Sequence, residues 1–335
     1  MRSRLFASLG VASAVVYGVM VYYFFLLGFS GGLLTWSFLC WMPFGMGALG
    51  ALMTLMGDYE PPNYKTPSYW QKVVKILLVA LAAVSLFLGV AYLLLGEGVI
   101  CLAIIVIPFL LLGIIGAVVV AIVIYYLQKN NKPRNYSFFS LVFVVIPFAS
   151  MPIEEGVGTT EQATGAENYI DVFATPEVVW EHVVRVKAIR PDELRRPSLS
   201  LSIGFPRPIE AVLDTVAVGG VRMATFERGL YFKETVTEMA PLKVLRFDIH
   251  ADPKAIPPTA LDEHVTVGGQ YFDVLEGCYR LEPITGGVRL HLSSKFRVST
   301  TLNAYAGMWC RWLMADIQEN ILHVVKARCE AESPK

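Results

Sequence analysis

Four long apolar runs, at residues 5–29, 33–56, 73–95 and 99–127, constrain this chain more than any other feature. Each is close to or above the roughly 20 residues that cross a bilayer's hydrocarbon core. A fifth run, Ser137 to Met151 (SFFSLVFVVIPFASM), is shorter and contains Pro147. It lies near the usual lower limit of about 17 residues for a span. If it crosses, the rest of the chain lies across the membrane from the N-terminus. If it is a re-entrant or interfacial helix, the rest stays on the N-terminal side.

The distribution of charge bears on that choice. Residues 1–150 hold eight of the 28 Lys/Arg and only three acids, Asp58, Glu60 and Glu97. Arg2 and Arg4, then Lys65, Lys72 and Lys75, then Lys129, Lys132 and Arg134 all fall on one side if each long run crosses once. Short Lys/Arg-rich connections stay cytoplasmic, which puts the N-terminus inside. After Arg134 no Lys or Arg occurs before Arg185, so the flank following the fifth run carries no retention signal and a true crossing is expected. The later domain is then extracytoplasmic, in a bacterial plasma membrane.

The interiors of the runs contain no Asp, Glu, Lys, Arg or His, which argues against a pump or an ion-coupled transporter. Gly45, Gly47 and Gly50 in the second run, and Gly113 and Gly116 in the fourth, mark sites where helices can approach closely; Pro108 is expected to kink the fourth. This half reads as an anchor, with the bilayer as its partner.

The remaining residues have the composition of a water-soluble domain, with twenty basic and twenty-five acidic residues. Zero net charge gives no reason to expect nucleic acid. Five scattered cysteines form no metal-ligand or redox motif, no cofactor motif is present, and a Cys278–Cys310 bridge is conceivable only in an oxidising compartment. Residues 153–166 read as a linker between a membrane domain (1–152) and a soluble domain (167–332). A strand at 168–174 precedes a helix opened by Thr175 and Pro176 and running to about Lys187. Six strands follow, at 209–216, 221–228, 231–239, 243–250, 271–283 and 288–300, punctuated by Gly219-Gly220, Gly229, Pro241 and Gly286-Gly287. The alternation of Val288, Leu290, Leu292, Phe296 and Val298 with charged neighbours predicts one buried and one wet face, which makes His250 and His291 poor catalytic candidates. A long helix from about Leu302 to Cys329 is predicted to turn Trp309, Leu313, Ile317, Ile321 and Val325 inward. The fold class is an α-helical membrane domain plus an α+β domain.

The order strand, short helix, meander, long C-terminal helix resembles the START-like helix-grip (SRPBCC) superfamily of polyketide cyclases/dehydrases and lipid-transport proteins. The likeness is carried by IDVFATPEVVW (170–180), GGVRMATFERGLYFKETVTEM (219–239), GGQYFDVLEGCYRLEPITGGVRLHLSSKFRV (268–298) and YAGMWCRWLMADIQENILHVVKARCE (305–330). The resemblance implies an interior between helix and sheet that binds greasy ligands. Phe247, Tyr279, Trp309 and Trp312 are then inward-facing candidates, with Tyr231 and Tyr271 at the mouth; each could equally be ordinary core. Glu234 and Glu276 are candidates for acid–base work if desolvated, or for surface pairing with arginines such as Arg222 and Arg280. The 253–269 connection could act as a lid, and the segment 188–208, with Arg195 and Arg196, could meet lipid head groups. The expected function is binding, or transfer, of a hydrophobic or lipid-like molecule. A cyclase- or dehydratase-type enzyme and a protein-interaction subunit are the alternatives.

Overall fold

The computed structural model describes residues 2–28, 33–57, 68–129, 136–253 and 266–332. Lys65, Lys132, Arg134, and most of the expected lid (254–265) lie outside them. The chain divides into two compact units, one of Met1–Glu97 with Cys101–Thr159, the other of Thr160–Lys335 with Gly98–Ile100.

The first unit is helical. α1 is Arg2–Gly28; a π-helical turn, Ser37–Trp41, leads into α2, Met42–Gly57. α3, Tyr69–Val90, opens with a Ser68/Gln71 capping box and continues as a π-turn to Leu95, where Gly96 (φ +79°) stops it. α4 is Val99–Lys129, an α-helix that includes Pro108. α5 is Tyr136–Val157. Among the described residues, Arg4–Leu27, Ser37–Gly57, Trp70–Leu95 and Val99–Leu127 are long and apolar enough to cross a membrane. The glycines act as expected. A methyl group at Gly47 would strike the Gly113 carbonyl, and one at Gly116 the Phe44 carbonyl, so α2 and α4 meet backbone to backbone.

α5 lies parallel to α1. The Tyr17 hydroxyl donates to the Val144 carbonyl at 3.1 Å, and further along both helices the rings of Phe24 and Phe148 meet at 4.6 Å. Beyond the end of α1, the Glu154 carboxylate near the end of α5 accepts from the Ser37 amide (3.0 Å) and hydroxyl (2.8 Å). That carboxylate answers donors at the start of the second span which no helical carbonyl could reach.

The second unit is an eight-stranded antiparallel sheet in the order β1-β8-β7-β6-β5-β4-β3-β2, with one long helix. The elements are β1 (Gln162–Val172), α6 (Pro176–Val184), β2 (Arg185–Val186), α7 (Leu199–Ser202), β3 (Pro208–Leu213), β4 (Val221–Phe226), β5 (Tyr231–Ala240), β6 (Val244–His250), β7 (Phe272–Ile284), β8 (Gly287–Val298) and α8 (Asn303–Glu332). Register shifts at Pro208/Glu210, Val236/Glu238 and Val274/Glu276 interrupt three of the ladders, and such irregularities bend the strands that carry them. On β8 the alternation holds: Val288, Leu290, Leu292, Phe296 and Val298 are buried.

Two differences from the sequence reading are informative. The stretch read as a linker is largely structured: α5 extends to Val157 and β1 starts at Gln162, pairing with β8 from Gln162↔Val298 to Val172↔Val288. The buried positions of α8 are Gln318, Leu322, Val325 and Cys329 together with Gly307, Asn320 and Val324, while Trp309, Leu313, Ile317 and Ile321 are only half-buried. None of the five cysteines is in a disulfide, so the Cys278–Cys310 bridge, conceivable only in an oxidising compartment, does not form. Burial pushes the thiol of Cys310 up to about 11 and that of Cys329 to about 12.

Candidate functional site

The hairpin joining β4 and β5 sets Arg222 directly opposite Glu234. Both side chains point into the interior, at 3% and 6% exposure, where the sequence reading placed an Arg222 pairing on the wet face. The reason is register. Arg222 shares its strand face with Ala224 and Phe226, all buried, while Met223 between them is exposed. A residue that reads as polar is thereby carried to the apolar face.

The Arg222 guanidinium donates to the Glu234 carboxylate through Nη1. Its carbon lies 5.3 Å from the ring centre of Phe247 on β6 and 5.6 Å from that of Tyr279 on β7, within cation–π range of both. Phe247 can lie there because its cross-strand partner, Gly277, has no side chain; a Cβ at that position would collide with the ring. Tyr279 is 2% exposed, and its hydroxyl is within reach of the same guanidinium. Burial pushes the Glu234 carboxyl above the usual carboxylate range, against the pull of Arg222, and raises the Tyr279 phenol.

This cluster is not fully satisfied. The Nε–H of Arg222 is buried and has no partner among the described residues, and neither has the indole N–H of Trp309 on α8. A buried donor left unpaired costs about 1–3 kcal/mol, so two of them in one domain call for an acceptor.

Glu234, Phe247 and Tyr279 thus come together around Arg222, while the other candidates lie elsewhere. Glu276 is on the outer face, held by Arg246 and by Lys295 at 3.0 Å. Partial burial opposes its ionisation, but those hydrogen bonds outweigh it and keep the carboxyl below the usual range. Trp309 and Trp312 stack edge to face at 5.6 Å, with Trp312 52% exposed. Tyr231 and Tyr271 are half-buried at the starts of β5 and β7, and burial raises the Tyr271 phenol. Arg195 is engaged by Glu319 of α8.

What sequence reasoning missed is a set of buried amides and carboxylates that fasten α8. Gln318 donates to the Ala166 carbonyl (3.1 Å) and the Ser294 hydroxyl (2.9 Å), and accepts from Asn168 (3.0 Å). Asp316 accepts from the amides of Leu199 and Ser200 and the hydroxyls of Ser198 and Ser200, and so caps α7. Asn320 accepts from the Arg195 amide and donates to Ser198. The available signal was Asp316, Gln318 and Asn320, polar residues at every second position of one turn of α8.

An uninterrupted antiparallel meander, closed at one edge by β1 on β8 and carrying one long C-terminal helix, decides the fold. The second unit is a helix-grip domain. No protein-family model matches the chain, and no curated protein does. Among solved structures, the chain is similar to the Zhui aromatase/cyclase from Streptomyces sp. R1128, at 15% identity over 50% of this chain and 94% of that one, with a TM-score of 0.32. It is similar to Aha1 from Colwellia psychrerythraea at 14% identity, over 51% of this chain and 99% of that one, TM-score 0.27. It is also similar to the di-domain aromatase/cyclase BexL at 12% identity, over 64% of this chain and 61% of that one, TM-score 0.34. The helix-grip assignment rests on the strand order rather than on these overlaps.

Proposed function

We propose that this protein is a membrane-anchored binding protein whose helix-grip domain takes up a hydrophobic or lipid-like molecule with a polar end. The observation that carries the reading is the enclosed Arg222 with its unpaired Nε–H, set between the rings of Phe247 and Tyr279. Apolar walls with a few convergent polar groups are the usual composition of a small-molecule site. Since Glu234 already answers the charge of Arg222, the interior favours a neutral acceptor such as a carbonyl or hydroxyl over a second anion. With Glu276 outside, acid–base catalysis in this interior would rest on Glu234, and binding is the simpler use of the site.

The proposed topology places the N-terminus in the bacterial cytoplasm and the helix-grip domain outside. It is supported by the parallel course of α1 and α5: two helices running the same way cross in the same direction.

The ligand test uses the full chain purified from membranes and compared with the double variant Arg222→Leu/Glu234→Leu. Removing both charges of a buried pair is often nearly neutral for stability, so the double variant is expected to melt within a few degrees of wild type. Organic extracts are compared by mass spectrometry. An amphiphile enriched with wild type and lost from the double variant is the expected result; identical extracts defeat the reading.

A further inference from the structure

The first unit carries a groove unrelated to the helix-grip interior. Its walls are α1 and α3, from Ala7 and Val11 on one side and from Val74 to Ala82 on the other, and its volume is about 850 Å³. Arg4 and Lys75 stand near the N-terminal ends of the two walls, beside Trp70, which is 72% exposed.

Three features describe the occupant. At 1.5 Å per residue, the wall from Gln71 to Ala82 is about 16 Å long, which is half of a hydrocarbon core of about 30 Å. The groove is therefore one leaflet deep. Its cationic end lies with the N-terminus of α1, and the distribution of Lys/Arg puts that end at the cytoplasmic leaflet, where anionic lipids reside. Two cations at the mouth of an apolar channel complement a phosphate head on an acyl chain, and an exposed tryptophan belongs at that depth. We infer that this groove holds an anionic phospholipid of the cytoplasmic leaflet, its phosphate between Arg4 and Lys75 and a chain along Val11 and Leu78. The inference rests on the reading of these helices as membrane spans.

The test uses the full chain in detergent and native mass spectrometry, with phosphatidylglycerol and phosphatidylcholine as probes. Wild type should retain one phosphatidylglycerol at least tenfold more tightly than phosphatidylcholine. Arg4→Gln/Lys75→Gln should abolish that preference. Ala82→Phe, which fills the groove and leaves both charges, should lose the bound lipid, whereas Lys72→Gln, outside the groove, should change nothing. Equal retention of the two probes by wild type, or an unchanged preference in either groove variant, overturns the proposal. Alkaline carbonate extraction separates the two failures: a chain washed off membranes ends the anchoring reading and this one with it, while a chain that stays put without the lipid preference ends only this one.

Discussion

A guanidinium enclosed between strands persists only if its charge and its donors are answered locally. Arg222 has its charge answered by Glu234, while one donor is left for something else. A second arginine shows the opposite case. Arg328 on α8 grips Glu193 with two hydrogen bonds, at 2.8 and 2.9 Å, and closes its donors on the carbonyls of Lys187 and Ala188. The Arg328 hydrogen bonds, the largest influence, hold the Glu193 carboxyl down at about 2. Because the folded value lies below the unfolded one, the pair stabilises the fold above about pH 4.5 and loses that contribution as pH falls toward about 2. Discounted for partial solvent contact, the contribution is of the order of 1–2 kcal/mol. Melting curves should show a gap between wild type and Glu193→Gln at pH 6 that narrows as the pH is lowered from about 4.5 toward about 2; a gap independent of pH would count against the pair.

At the level of elements, the strands from β3 to β8 lie within a few residues of their sequence-derived bounds, because alternation and turn glycines signal both body and end of a strand. β1 was half missed. Its first residues, QATGAE, lack apolar alternation, and they are a strand because β8 offers them a ladder more than a hundred positions away. The same distance hid the seating of α8. Periodicity identified an amphipathic helix, but which stripe is buried was decided by Gln318, whose amide finds its partners on β1 and β8. Gln318→Leu removes a hydrogen bond from the Ala166 carbonyl, the Ser294 hydroxyl and the Asn168 amide, which keeps its bond to the Ala315 carbonyl, and should lower stability by about 1–3 kcal/mol. A chemical-denaturation midpoint unchanged from wild type would show that apolar packing alone seats the helix.

For the whole molecule, the proposed membrane topology turns on α5. The fifth run is marginal at fifteen residues; α5 extends to Val157 and at 22 residues is about 33 Å long, so its length, though not its apolar content, matches a hydrocarbon core. Glu154, which by composition ended the apolar run, is spent on the Ser37 donors rather than exposed as a free charge. A cysteine introduced at Thr160 should react with an impermeant thiol reagent in spheroplasts, above the background of the native cysteines, and one at Asn131 should be protected. Labelling at Asn131 with protection at Thr160 would reverse the topology.

The division into an apolar helical half and a polar meander with a long final helix was legible in the sequence alone, because hydrophobic period and charge placement are local properties. So were the glycines that let α2 and α4 touch, since a residue without a side chain marks a place where backbones can meet. Glu234, Phe247 and Tyr279 could be named from the sequence as candidates. That they surround a buried Arg222 while Glu276 faces water was decided only by tertiary structure, because strand register and bulges determine which face each residue takes. A residue's type states its preference for water; the pairing of strands determines whether it is granted.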